Sequence, residues 1–113
     1  MIKIYHNPRC SKSRQGLAIL ETSGKTFEII KYLENQLTVE QLTEIISKLK
    51  SKPINLVRKN EAIWKTNYKG KTLSDKEIIE AMVANPKLIE RPIVVNNTKA
   101  VVGRPPETIL EII

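Results

Sequence analysis

Apolar residues fall in short runs at both ends of the chain and recur at helical spacing through its middle. Ile2, Ile4 and Tyr5 predict a short buried strand running into the polar stretch His6–Arg14. From Ser11 to about Thr22, Leu17, Ile19 and Leu20 predict a helix stopped by Ser23-Gly24. Phe27–Ile30 reads as a second strand, parallel to the first in a βαβ unit. Thr38 with Gln41 forms a capping-box pattern ahead of Val39, Leu42, Ile45, Ile46 and Leu49, which share one helical face. After Lys52-Pro53, the segment from about Asn55 to Arg58 predicts another helical turn or two. Ser74 with Glu77 repeats the capping box, and Ile78, Ile79, Met82 and Val83 mark a helix ending at Asn85-Pro86. Roughly residues 35–88 therefore read as helical throughout.

Strands then return. Ile93–Val95 and Lys99–Val102 flank Asn96-Asn97-Thr98, a hairpin signal because asparagine tolerates positive φ. Arg104-Pro105-Pro106-Glu107 opens a last helix, with proline at its first position and Ile109, Leu110, Ile112 and Ile113 to bury. Gly103 reads as a flexible link ahead of Arg104. The order β-α-β, helices, β-β-α predicts an α/β fold: one domain over 1–113, with a four-stranded mixed sheet and a helical insertion.

Size and composition narrow the class. At 113 residues the chain can bury a core without metal or disulfide staples. Its single cysteine excludes an internal disulfide and suits a reducing compartment. MIKIY turns polar at once, with no signal-peptide apolar region, and no run reaches membrane-span length. The expectation is a soluble cytoplasmic protein. Nineteen Lys and Arg against twelve Asp and Glu give a net charge of +7, which suits nucleic acid or a small oxyanion. The lysines are scattered, and one Trp, three Tyr and one Phe leave little for base stacking, which argues against nucleic acid.

The chemistry concentrates in HNPRCSKSR, residues 6–14, which hold the only cysteine and the only histidine. A lone cysteine is commonly an inert buried hydrophobe. Cys10, however, lies at a helix start among Arg9, Lys12 and Arg14, a setting that favours an open, reactive thiolate. His6, four residues before it, either tunes the thiol or serves as a loop or cap residue. Arg14 completes the cysteine loop, pairs with an acid such as Glu21, or faces solvent. Cys10 to Ser13 is C-x-x-S, so any redox turnover must borrow an external thiol. Cys10 to Arg14 is too short for the C-x5-R loop of cysteine phosphatases, and one Cys with one His cannot make a zinc site. Arg58, Arg91 and Arg104 lie at predicted element ends, placed either to grip an oxyanion with guanidinium forks or simply to face solvent.

The element order, with a reactive cysteine opening the first helix, resembles the thioredoxin/glutaredoxin fold. YHNPRCSKSR at 5–14, LVRKNE at 56–61, ERPIVV at 90–95 and GRPPETILEII at 103–113 narrow this. Together they resemble the glutaredoxin-coupled arsenate reductases, the ArsC family, in its short YfgD-like branch. The resemblance spans essentially the whole chain, in one order and at compatible spacings. It implies that Cys10 attacks arsenate, glutathione displaces the adduct as a mixed disulfide, and glutaredoxin restores the thiol while arsenite leaves. Glutathione is then a co-substrate, and no cofactor stays bound. The resemblance also implies catalytic roles for Cys10, His6, Ser13 and Arg14, and oxyanion binding by Arg58, Arg91 and Arg104. Pro92, otherwise a plain strand-start proline, is by the same resemblance cis and shapes the site. Two alternatives remain open: an Spx-type regulator that binds RNA polymerase, although such proteins carry C-x-x-C, or a monothiol reductase of another small substrate.

Overall fold

The computed structural model describes residues 1–113. Backbone packing divides them into two compact units, Met1–Asn35 with Arg91–Ile113, and Gln36–Glu90.

The first unit contains β1 (Ile2–Tyr5), α1 (Ser11–Ser23), β2 (Phe27–Ile30), β3 (Ile93–Asn96) and β4 (Lys99–Val102), then a 3-10 helix at Pro106–Glu111. The strand order is β2-β1-β3-β4. β1 runs parallel to β2, with Ile4 opposite Ile29, and antiparallel to β3, with Ile4 opposite Val94. β3 and β4 form the predicted hairpin, whose turn holds Asn97 at φ 57°. This mixed four-stranded sheet is the thioredoxin/glutaredoxin-like fold expected from the element order. Ile2 and Ile4 of β1, Val94 of β3, Leu20 of α1 and Ile109 form one buried cluster. The central strands β1 and β3 are apolar and largely buried, with Ile2, Ile4, Tyr5, Ile93, Val94 and Val95 all inside.

Two details depart from the sequence reading. The buried face of α1 is Ser13, Gly16 and Leu20, at helical spacing, while Leu17 and Ile19 flank the core only partly buried. The last element is a 3-10 helix, and its three-residue period puts Pro106 and Ile109 inside. Leu110, expected in the core, falls off that face and stays 59 % exposed.

The second unit is built on α2 (Val39–Leu49) and α4 (Asp75–Ala84), each opened by the predicted capping box, at Thr38–Gln41 and Ser74–Glu77. Leu42, Ile45 and Ile46 of α2 and Ile78, Ile79 and Met82 of α4 are buried. Helix is not continuous here. The turn expected near 55–58 is a 3-10 helix at Pro53–Leu56, because proline takes its first position. Val57 then becomes extended and pairs with Ile89. Inside the stretch read as helical lies a short helix that the sequence reading did not single out, α3 (Ala62–Asn67), which buries Trp64 stacked 5.3 Å from Tyr68. No helix is long and apolar enough to cross a membrane.

Candidate active site

The loop between β1 and α1 is tied at several points. The His6 amide donates to the Ile30 carbonyl at 2.8 Å, continuing the β1–β2 pairing by one residue. Asn7 closes the turn: its carbonyl accepts from the Cys10 amide at 3.0 Å, and its Oδ1 accepts from the Arg9 amide at 3.0 Å. An asparagine before proline is suited to this, since its side chain mimics a backbone turn. Arg14 Nη1 donates to the Pro8 carbonyl at 2.9 Å, so this side chain ties the first turn of α1 to the loop rather than pairing with Glu21.

Cys10 is the N-cap of α1, with extended backbone at φ −96° and ψ 123°. It is only 8 % exposed, not the open thiol its polar neighbours suggested. The loop folds the sulfur inward while Arg9 stays at the surface. Burial pushes the thiol pKa up and is the largest single influence on it. The Ser13 amide, the Arg91 guanidinium and the Lys12 amide act against burial and together prevail. The thiol therefore sits below its ordinary pKa. The Ser13 and Lys12 amides belong to the first turn of α1, where free amides and the helix dipole favour a negative sulfur.

His6 and Ser13 are buried beside this group. His6 Nδ1 lies 2.7 Å from Ser13 Oγ, and Oγ accepts from the Asn7 amide at 3.0 Å. This geometry accommodates a neutral imidazole protonated on Nε2, whose Nδ1 accepts the hydroxyl proton. Burial lowers the His6 pKa first, followed by the charges of Lys31 and Arg14. Both effects favour the neutral ring.

Arg91 and Arg104 come together across the entries to β3 and the final helix. Arg104 Nη1 donates to the Arg91 carbonyl at 3.4 Å. Arg91 Nε is buried and has no hydrogen-bond partner. The Arg91–Pro92 and Arg104–Pro105 peptide bonds are both cis, and Pro92 is fully buried. Arg58 belongs to the second unit, where its guanidinium meets Glu61 at 3.0 Å and Glu90 at 3.7 Å. No three His, Cys, Asp or Glu side chains gather as metal ligands would.

Three contributors escaped the sequence reading. Asn7 was signalled by its Asn-Pro step. Lys31, just past β2, acts on His6 through space. Gly103, read as a flexible link, is instead buried against Pro92 and Ile109.

The ArsC family model matches residues 5–112. An arsenate reductase of Haemophilus influenzae is 45 % identical, the match covering 97 % of this chain and 97 % of the relative. Escherichia coli YfgD is 46 % identical, over 99 % of this chain and 96 % of that protein. A solved structure of an arsenate reductase from Vibrio cholerae superposes with a TM-score of 0.95 at 46 % identity, covering 99 % of this chain and 97 % of that one. With a family model matched over residues 5–112 and relatives 45 % and 46 % identical along nearly their full length, this chain belongs to the ArsC family.

Proposed function

We propose that the protein is a cytoplasmic arsenate reductase in which Cys10 is the nucleophile and glutathione and glutaredoxin supply the electrons. The observation that carries this reading is a thiol held below its ordinary pKa beside Arg91, whose buried Nε has no partner. A buried donor left without a partner is costly, by about 1–3 kcal/mol, and an arsenate oxygen would satisfy it. Arg91 and Arg104 grip the oxyanion and neutralise charge that builds on it during attack. His6 and Ser13 hold the loop that aims the sulfur, and Arg14 clamps that loop at Pro8.

The Cys10 thiolate attacks As(V), forming a sulfur–arsenic bond while one arsenate oxygen leaves, after protonation, as water. A glutathione thiolate then attacks the Cys10 sulfur. The sulfur–arsenic bond breaks with its electron pair kept by arsenic, which departs as As(III) in arsenite. The two sulfurs are now joined as a mixed disulfide. A glutaredoxin thiolate attacks the glutathione sulfur and releases Cys10 as the thiolate. Because the chain has one cysteine, no internal disulfide can replace the mixed one.

Mass spectrometry after a single turnover with arsenate and glutathione tests this. It should find one glutathione on Cys10, removable by glutaredoxin, and arsenite in equal amount. Turnover by Cys10→Ser, or sustained turnover with thioredoxin and no glutathione, overturns the mechanism. Capture of RNA polymerase by a preparation that makes no arsenite would point to the regulator instead.

A further inference from the structure

Gly16 lies in the middle of α1, where alanine is the better helix former. Its φ is not positive, and neither is that of Gly103, so backbone freedom does not explain either glycine. Space does. A Cβ at Gly16 would stand 2.9 Å from Pro92 Cγ and 2.9 Å from Ile109 Cδ1. A Cβ at Gly103 would stand 3.0 Å from each of the same two atoms. The Gly103 amide also donates to the Pro92 carbonyl at 2.8 Å. The fully buried Pro92 ring is thus seated between two residues without side chains.

Three site-bearing segments meet at this ring. Gly16 is one turn beyond Ser13 on the buried face of α1, the helix that Cys10 caps. Pro92 follows Arg91, and Gly103 precedes Arg104. We propose that Gly16 and Gly103 are positioning residues, whose missing Cβ atoms set how closely α1 and the strand leaving β4 approach Pro92. Through Pro92 they set where the Arg91 guanidinium stands against the Cys10 sulfur.

The two neighbours would respond differently to an added methyl group. Ile109 Cδ1 is the end of a rotatable chain and can turn aside, whereas the closed proline ring cannot. Displacement therefore passes into the α1–Pro92 spacing, and from there to Arg91.

The inference rests on the Cys10–Arg91 pairing of the proposed function, so the test reads the thiol itself as well as arsenate. Gly16→Ala and Gly103→Ala are compared with Ile109→Val and with the double variant Gly16→Ala/Ile109→Val. For each, the pH midpoint of iodoacetamide alkylation, the melting temperature, and KM and kcat for arsenate are measured. Gly16→Ala should raise the alkylation midpoint towards that of a free thiol. It should also raise KM for arsenate on the order of tenfold, the scale of weakening one charge-assisted contact. Gly103→Ala should act in the same direction more weakly, and it carries the test if Gly16→Ala does not fold. Ile109→Val alone should lower the melting temperature without moving the midpoint. The double variant should keep the thiol shifted, because Pro92 Cγ is still met. Lower melting temperature with an unmoved midpoint in both glycine variants overturns the inference. A shifted midpoint in a protein whose wild type reduces no arsenate would leave the inference standing and remove only the substrate.

Discussion

The Ser13 hydroxyl, wholly buried, is 2.7 Å from His6 Nδ1, so the first turn of α1 is bonded to the residue that leaves β1. The same oxygen accepts from the Asn7 amide at 3.0 Å, and one hydroxyl thereby satisfies two buried partners.

Ser13→Ala should therefore do more than remove one contact. It leaves both the Asn7 amide and His6 Nδ1 without partners, and each buried orphan typically costs about 1–3 kcal/mol. Urea unfolding should show a midpoint well below wild type, whereas Ser13→Thr should recover part of the loss by keeping the hydroxyl. A Ser13→Ala midpoint equal to wild type would show that the hydroxyl bridges nothing.

Folding stability should fall with acid through His6. Its folded pKa is lowered, by burial first and then by Lys31 and Arg14, so the unfolded chain binds the proton more readily. The contribution is complete above the unfolded value of about 6.5 and is lost as pH drops through the folded value. Urea midpoints for wild type and His6→Gln, measured between about pH 5 and 7.5, should converge towards the acid end as wild type loses more. Parallel curves would refute the assignment.

Cys10 should alkylate with a midpoint below the free-thiol value of about 8.5. The same depression gives a stability increment that is complete above that value and lost as pH falls through the folded one. Cys10→Ser should lack this slope. An iodoacetamide midpoint at or above 8.5, roughly the free-thiol value, removes the nucleophile.

Arg91→Ala should raise the Cys10 midpoint and cost on the order of ten- to a hundredfold in kcat/KM for arsenate, the scale of a lost charge-assisted contact. Arg91→Lys should rescue it poorly, since a point charge cannot reproduce the fork. Arg104→Ala should lower kcat/KM with a smaller effect on the thiol, because Arg104 meets the Arg91 carbonyl rather than acting on the sulfur. Wild-type kinetics in both alanine variants would rule out the oxyanion role.

Much of the fold was legible because its signals are local. Alternating Ile2 and Ile4, two capping boxes and an asparagine-rich turn each specify their own element. Helix α3 was not legible: Trp64 is its only buried side chain, and one anchor makes no period. The final helix was misread as α because Ile109, Leu110, Ile112 and Ile113 fit a 3.6-residue stripe, while Pro105 and Pro106 remove amide donors at its start. In the site, the cysteine loop is contiguous and could be read directly. Arg91 and Arg104 entered only through motifs, since their meeting is made by the β3–β4 hairpin. Gly16 stood out only as a glycine inside a predicted helix, and what it packs against is a proline far along the chain.

The sheet pairs Ile4 with Val94, and Gln36–Glu90 intervene between the strands so joined. On the ribosome, the cysteine loop thus emerges well before the arginine that acts on its sulfur. A nascent chain ending short of β3 carries Cys10 as an ordinary thiol, without the guanidinium that draws off its proton. Non-local closure of this kind is among the slower steps of folding. The surroundings that lower the Cys10 pKa are therefore completed only once the chain has been made through Arg91 and β3, long after the cysteine loop itself.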